Sequence, residues 1–185
     1  MQYLTDIFNS VQLKAVVQRN NIRDADLLKR IVLYVISNVG NTFSATSIQK
    51  FFNSEHRSTT VDTILNYISY CCDAYLFYKV KREDIQGKQL LATNEKYYLV
   101  NHGVREAVFG GNLRVINLVL ENIVYIEALK RGYDVTVGRI DSKEIDFICR
   151  KRDEKIYIQV SYLLASEETI EREFGVYENI QDNYP

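Results

Sequence analysis

The chain has 185 residues, of which 46% are hydrophobic, and its 23 basic and 24 acidic side chains give a formal net charge of -1. This composition supports a buried core and excludes wholesale disorder, and the near-neutral charge gives no overall basic character that would indicate nucleic-acid binding. The sequence contains no apolar run of about 18 residues and no secretory signal, so we expect no membrane partner. Its three cysteines include the adjacent Cys71 and Cys72 and lack CxxC spacing, which favours a reducing cytoplasm over a disulfide framework or a zinc site.

The first half of the chain predicts three helices followed by a hairpin. Asp24 is placed to cap a helix from Ala25 to about Asn38, and Ser44 opens a short second helix. A third helix starts at Ser58 or Thr59 and runs to Cys72, because a helical stripe of apolar residues, expected to be buried, follows: Val61, Ile64, Leu65, Ile68 and Cys72. Alternating residues 74–84, a turn ending at Gly87-Lys88 and a return strand at 96–100 complete the order of a winged helix-turn-helix.

This order leaves two interpretations open for the hairpin, or wing. Four basic residues could contact a nucleic-acid backbone there: Lys79, Lys81, Arg82 and Lys88. The outward face of the third helix contains no basic residue, and Asp62 on that face would repel phosphate. The alternative is that the domain packs against protein and that the wing lysines only protect an edge strand.

The second half, after Gly110-Gly111, predicts a helix, three strands and a final helix. The helix at 113–130 is apolar around most of its circumference and is therefore expected to be buried on most sides, with Glu121 in its middle. Residues 133–139, 143–150 and 156–164 predict strands, and Ser166 is placed to cap the last helix. Strand alternation would place Glu144, Asp146 and Ile148 on one face of the second strand, and Gln159 with Ser161 on one face of the third.

This second half resembles the core of the PD-(D/E)XK nuclease superfamily. In active members a helix Glu, a strand Asp and the Glu of an E-x-K pair hold Mg²⁺, and the lysine orients the attacking water. The matching positions here are Glu121, Asp146, Gln159 and Ser161. The resemblance therefore implies a vestigial site in which Glu121 and Asp146 are the metal ligands, if any metal binds, and in which the E-x-K charges are missing.

A narrower resemblance covers nearly the whole chain. LENIVYIEALKRGYDVTVGR, EIDFI, YIQVSYLL and ETIEREF are similar to the C-terminal region of a large prokaryotic family of AAA-type ATPases. There, a winged helix and a nuclease-like domain of unknown function follow the nucleotide motor. The resemblance implies an α+β fold with a linker from an upstream motor at 1–22, a winged helix at 23–110 and a restriction-endonuclease-like α/β domain at 111–185. We expect that last domain to be truncated, since a further strand would follow.

Three functional classes remain open. The first is a non-catalytic module of an AAA-type ATPase that recognises duplex DNA or a partner protein, with the motor domain as its neighbour. The second is an active Mg²⁺-dependent DNA nuclease, and the third is a protein-interaction scaffold unconnected with nucleic acid. No GxxxxGK[ST] motif is present, so we expect ATP to bind only in the motor. In this part of the protein we expect no cofactor unless the nuclease-like site holds Mg²⁺.

Overall fold

A computed structural model describes residues 6, 8, 13–85, 89–110, 116–140, 143–163, 167–175, 177 and 180, and only the backbone of 89–94, 168, 172 and 173. Within these residues the fold is α+β, with seven helices and five strands. The helices are α1 (Lys14–Arg19), α2 (Ala25–Ser37), α3 (Ala45–Ser54), α4 (Val61–Asp73), α5 (Gly103–Phe109), α6 (Ile116–Lys130) and α7 (Glu167–Phe174). The strands are β1 (Phe77–Asp84), β2 (Gln89–Leu99), β3 (Asp134–Ile140), β4 (Lys143–Lys151) and β5 (Glu154–Ile158).

The strands form one mixed sheet in the order β2-β1-β3-β4-β5. Strand β1 pairs in parallel with β3, whereas β3 with β4 and β4 with β5 are antiparallel. The chain divides into two compact units, residues 1–79 with 94–112 and residues 80–93 with 113–185. No helix in the described part of the chain is long and apolar enough to cross a lipid bilayer.

Three helices of the first unit, α2, α3 and α4, begin at a residue whose side chain caps the helix. The Asp24 carboxylate accepts the backbone N–H of Leu27 at 2.8 Å, and Ser44 and Ser47 form a reciprocal capping box. Thr60, rather than Ser58 or Thr59, caps α4. All six apolar positions predicted for α2 are buried: Leu27, Leu28, Ile31, Val32, Val35 and Ile36. Helix α4 packs against both α2 and α3.

One prediction about the first unit is wrong in detail. The stripe of α4 is only partly buried, because Leu65 is 42% exposed and Val61 half-buried, while Ile64, Ile68 and Cys71 form the buried face. The stretch expected to be a linker also contains structure, since α1 is helical and its Val16 is 1% exposed. Of that stretch, the structure describes only residues 6, 8 and 13–22. Gly111 and Ser166, the expected cap of the last helix, also lie outside the described residues.

In the second unit α6 packs against β3 and β4, and the ring centroids of Tyr125 and Phe147 lie 5.8 Å apart. The expectation that α6 is buried on most sides is wrong. Ile123 is 39% exposed, and several other apolar residues of the helix are only half-buried: Leu118, Val119, Leu120, Val124 and Ile126. The polar Glu121 and Asn122 are instead among its buried residues.

Candidate functional site

A register shift in the sheet determines how Asp146 is presented. The pairing of β3 with β4 shifts by one residue between two positions, Thr136↔Ile148 and Gly138↔Ile145. Asp146 and Phe147 therefore lie opposite Val137 alone, the two-against-one arrangement of a β-bulge. Bulges of this kind are frequent where a strand must redirect a side chain or stop pairing.

The bulge overturns the predicted faces of β4. Thr136 and Gly138 are two residues apart on β3, so their partners Ile148 and Ile145 lie on the same face of the sheet. The prediction that Glu144, Asp146 and Ile148 share a face, with Ile145 on the other, is therefore wrong. Ile145 packs instead with a cluster on its own face: Ile85, Ile140, Tyr157, Tyr177 and Ile180.

The structure brings Asp146 and Gln159 together where β5 ends. The backbone N–H of Asp146 donates to Oε1 of Gln159 at 3.3 Å, and the N–H of Val160 donates to Oδ2 of Asp146 at 2.8 Å. Regular pairing of β4 with β5 extends as far as Phe147↔Ile158. Two side-chain to backbone hydrogen bonds thus hold the strands together just beyond the last regular pair.

The other two nuclease-like positions lie just after β5 and on α6. Ser161 is half-buried, and its hydroxyl donates to the carbonyl of Leu163 at 3.4 Å. Glu121 is 8% exposed on α6, much like Asp146 at 9%. Near Glu121 on the same helix, Asn117 accepts the backbone N–H of Tyr162 through Oδ1 at 3.1 Å. This contact ties the segment after β5 to the start of α6.

Sequence reasoning missed Tyr177, which lies beside Asp146 and Gln159. Burial, and then the negative charge of Asp146, raises the pKa of Tyr177, and a hydrogen bond with the backbone of Gln159 partly offsets this. Its hydroxyl also donates to the carbonyl of Tyr157 at 3.5 Å. Tyr177 follows Asp146 by 31 positions and belongs to no periodic pattern, so no signal in the sequence marks it as a neighbour.

The predicted basic wing is only partly available at the surface. The Arg82 side chain is 10% exposed, and its Nη2 lies 3.2 Å from Oε2 of Glu144, so little of it is available to a nucleic-acid backbone. Lys79 forms a salt bridge with Glu95, whereas Lys81 is exposed. Lys88 lies outside the described residues.

Comparison with known proteins places the chain in a family. Residues 1–114 match the model of a family described as a domain of unknown function (DUF8612). The chain belongs to this DUF8612 family. The match covers the whole of the first unit and residues 80–93 of the second, and it ends before the elements that carry Asp146 and Gln159. Family membership therefore says nothing about the cluster in the second unit.

Two curated relatives of this DUF8612 protein are described as uncharacterized proteins. It is 41% identical over 181 residues to a protein of Haemophilus influenzae, covering 98% of the chain and 44% of that protein. It is 26% identical over 182 residues to a protein of Methanocaldococcus jannaschii, and this match covers 96% of the chain and 39% of that protein. The chain thus spans less than half the length of these relatives. No solved structure matches it.

The donors next to Asp146 in this DUF8612 protein offer little negative charge to the Mg²⁺ that a nuclease-like site would hold. Mg²⁺ needs several oxygen ligands in strict octahedral geometry. Asp146 Oδ2 and Gln159 Oε1 already accept backbone N–H groups, and Gln159 and Ser161 contribute no negative charge. Within the described residues, no group of three or more His, Cys, Asp or Glu side chains could hold a metal ion.

Proposed function

We propose that this chain is a non-catalytic recognition module of a longer protein, built from a winged helix and a nuclease-like second unit. The order α2, α3, α4 and the β1-β2 hairpin supports the winged helix. Phe43, between α2 and α3, forms an antiparallel bridge with Glu95 of β2, as the short extra strand of such a domain would. The stacked rings of Phe43 and Tyr97, with centroids 5.2 Å apart, hold this bridge against the hairpin.

One observation carries the non-catalytic part of the proposal. Asp146 and Gln159, which match metal-ligand positions of active nucleases, act here as acceptors for the backbone of the neighbouring strand. Phosphodiester hydrolysis needs a metal to activate water and positive charge to stabilise the transition state. The Asp146 carboxylate accepts the N–H of Val160, and the carboxamide and the serine beside it bring neither a second ligand charge nor a cation. The second unit is therefore proposed to serve binding.

The length of the relatives supports the proposal that this chain is part of a longer protein. The chain corresponds to less than half of each relative, so the rest of such a protein is available for another activity. The sequence resemblance to the region after an AAA-type motor makes ATP hydrolysis our proposal for that other part. This chain would lie next to that motor, and its proposed partner is duplex DNA or a protein.

A nuclease assay separates this proposal from an active enzyme. We expect no cleavage of DNA with Mg²⁺ or Mn²⁺ by the unmodified chain, by Asp146→Ala, or by Gln159→Glu alone. The double variant Gln159→Glu, Ser161→Lys restores both missing charges, and weak cleavage gained only there would indicate a degenerate nuclease frame. Robust cleavage by the unmodified chain that Asp146→Ala abolishes would show that the proposal is wrong.

DNA recognition is tested through the wing. If the wing contacts the duplex, Lys81→Gln should weaken binding and lower the slope of log affinity against log salt by about one. Lys130→Gln, an exposed lysine at the end of α6, is the matched control and should change neither. Equal effects of the two variants, or binding that does not respond to salt, would favour a protein partner instead.

A further inference from the structure

The first unit contains a cleft of about 500 Å³ that the proposed function does not use. We call it the α2–α3 cleft; the residues that carry the argument are Arg30, Tyr34, Phe51, Phe52, Arg57 and Phe109. Its volume is within the range of small-molecule sites, which combine mainly apolar and aromatic walls with a few polar groups. None of these residues belongs to the wing or to the cluster around Asp146.

One part of the cleft is aromatic and open to solvent. Phe51 is 45% exposed and Phe109 is 48% exposed, which is unusual for two phenylalanines lining one cavity. The Phe51 ring packs 5.3 Å from Tyr34 at a tilt of 51° and 5.5 Å from Phe52. Neighbouring rings therefore fix the position of Phe51 while leaving part of it free for a planar ligand.

The other part carries two guanidinium groups held side by side. Oδ2 of Asp26 accepts Nε of Arg30 at 3.0 Å and lies 2.5 Å from Nη2 of Arg57. These contacts use one nitrogen of each guanidinium, a group with five N–H donors. Asp26 is thus shared by two guanidinium groups, and Arg30 lies one helical turn from Tyr34. An anion at this end would thus sit next to the aromatic wall.

We propose that the α2–α3 cleft binds a nucleotide unit, with the base against Phe51 and Phe109 and the phosphate at Arg30 and Arg57. Aromatic faces combined with cationic groups are what stacking sites for unpaired bases use. Glu55 also lines the cleft and, with Asp26, balances the two arginines. This balance favours a single phosphate over a polyphosphate, so the ligand is a mononucleotide or one nucleotide of a single strand.

The test is calorimetric titration of the full chain with AMP, adenosine, inorganic phosphate and ATP, with NMR shift mapping of the cleft. We expect AMP to bind more tightly than adenosine, phosphate or ATP. Phe51→Ala and Phe109→Ala should each weaken AMP binding roughly fivefold or more, because each removes a stacking face. Arg57→Gln should weaken it by a similar factor, because it removes a charged donor to the phosphate. Thermal melting checks that each variant remains folded.

Matched controls come from the second unit. Phe174→Ala replaces a phenylalanine of nearly equal exposure, 47%, and Arg131→Gln breaks an i,i+4 ion pair like that of Arg30 with Asp26. Both should leave AMP affinity unchanged. A single-stranded oligodeoxyadenylate of about eight nucleotides identifies the source: much tighter binding than AMP through the same residues indicates a strand, and similar binding indicates a free nucleotide.

Several outcomes would overturn the proposal. Binding of neither AMP nor the oligonucleotide would do so, as would AMP affinity that Phe51→Ala and Arg57→Gln leave intact. Phosphate that binds as tightly as AMP would show a simple anion site. An amphipathic peptide that occupies the cleft when nucleotides do not would show a protein-binding groove instead.

Discussion

Asp146 donates its backbone N–H to Oε1 of Gln159 at 3.3 Å, and the Asp146 carboxylate in turn accepts the N–H of Val160 at 2.8 Å. The two residues hold the strands β4 and β5 together immediately after the regular ladder ends at Phe147↔Ile158. Positions that bind metal in an active nuclease of similar sequence pattern thus have a structural task here. Substitutions of Asp146 or Gln159 can therefore be assessed by their effect on the free energy of unfolding as well as on activity.

Replacing Asp146 should therefore destabilise the fold. Asp146→Ala leaves the N–H of Val160 without this acceptor in a part-buried setting, which we expect to cost about 1 kcal/mol. Asp146→Asn keeps an acceptor oxygen and should cost clearly less. Urea unfolding of both variants measures the difference in the free energy of unfolding. Equal stability of Asp146→Ala and the unmodified chain would contradict the structural role.

Gly138 should not tolerate a larger side chain. A Cβ there would lie 2.8 Å from Cδ1 of Ile148 and 2.9 Å from Cδ1 of Ile85, closer than real Cβ contacts allow. Gly138→Ala should destabilise the chain by about 1–3 kcal/mol through overpacking. Ile148→Val removes one of the two clashing methyl groups, so the double variant should lose less than the sum of the single losses in thermal unfolding. Strict additivity would show that Ile148 is not the obstacle.

Local signals in the sequence predicted the helices well, because caps and apolar spacing act over a few residues. Asp24 and Ser44 cap helices as expected, and all six apolar positions of α2 are buried. How completely a neighbouring element covers a helix is a tertiary property. Leu65 and Ile123 fit apolar helical stripes and yet remain exposed, since periodicity tells which residues share a side and not what packs on it.

Long-range strand pairing limited how much of the candidate site could be predicted from the sequence. The bulge at Asp146 and Phe147 has no local signature, because it arises from the register of β4 against β3. Arg82 looked like a surface residue of a hairpin, yet β1 pairs in parallel with β3 and places Arg82 opposite Val137. A parallel partner more than 50 positions away cannot be inferred from alternation within one strand. Asp146 and Gln159 were predicted together only through a family resemblance.

Glu83 and Arg150 should couple measurably across the sheet. Arg150 donates through Nη2 to Oε1 of Glu83 at 2.5 Å and through Nη1 to Oε2 at 3.1 Å, and Thr136 donates to the same Oε2 at 3.0 Å. The paired geometry is specific to arginine, so Arg150→Lys should cost about 1 kcal/mol although the charge is kept. Urea unfolding of this variant provides the measurement.

A double-mutant cycle with alanine at Glu83 and Arg150 should show a coupling energy above about 0.5 kcal/mol. The exposed pair Glu127 and Arg131, with side chains 51% and 70% exposed, is the control and should show less than about 0.5 kcal/mol. Coupling that is no larger for Glu83 and Arg150 than for the control pair would mean that the partly buried network adds nothing to stability.

The cysteines should make stability fall in alkaline solution. Burial raises the pKa of Cys71 to about 12 and that of Cys149 to about 11, against an ordinary value of 9.0. Because both folded pKa values lie above the unfolded value, the protonated thiols stabilise the fold fully below pH 9.0, and this contribution is lost as the pH rises through about 11 to 12. Each thiol can contribute a slope of at most about 1.4 kcal/mol per pH unit to the free energy of unfolding.

Urea unfolding from pH 8 upward should therefore show a shallower decline in the free energy of unfolding for Cys71→Ala than for the unmodified chain, although the variant is less stable at pH 8. Parallel declines would show that Cys71 ionises as readily in the folded chain as in the unfolded one.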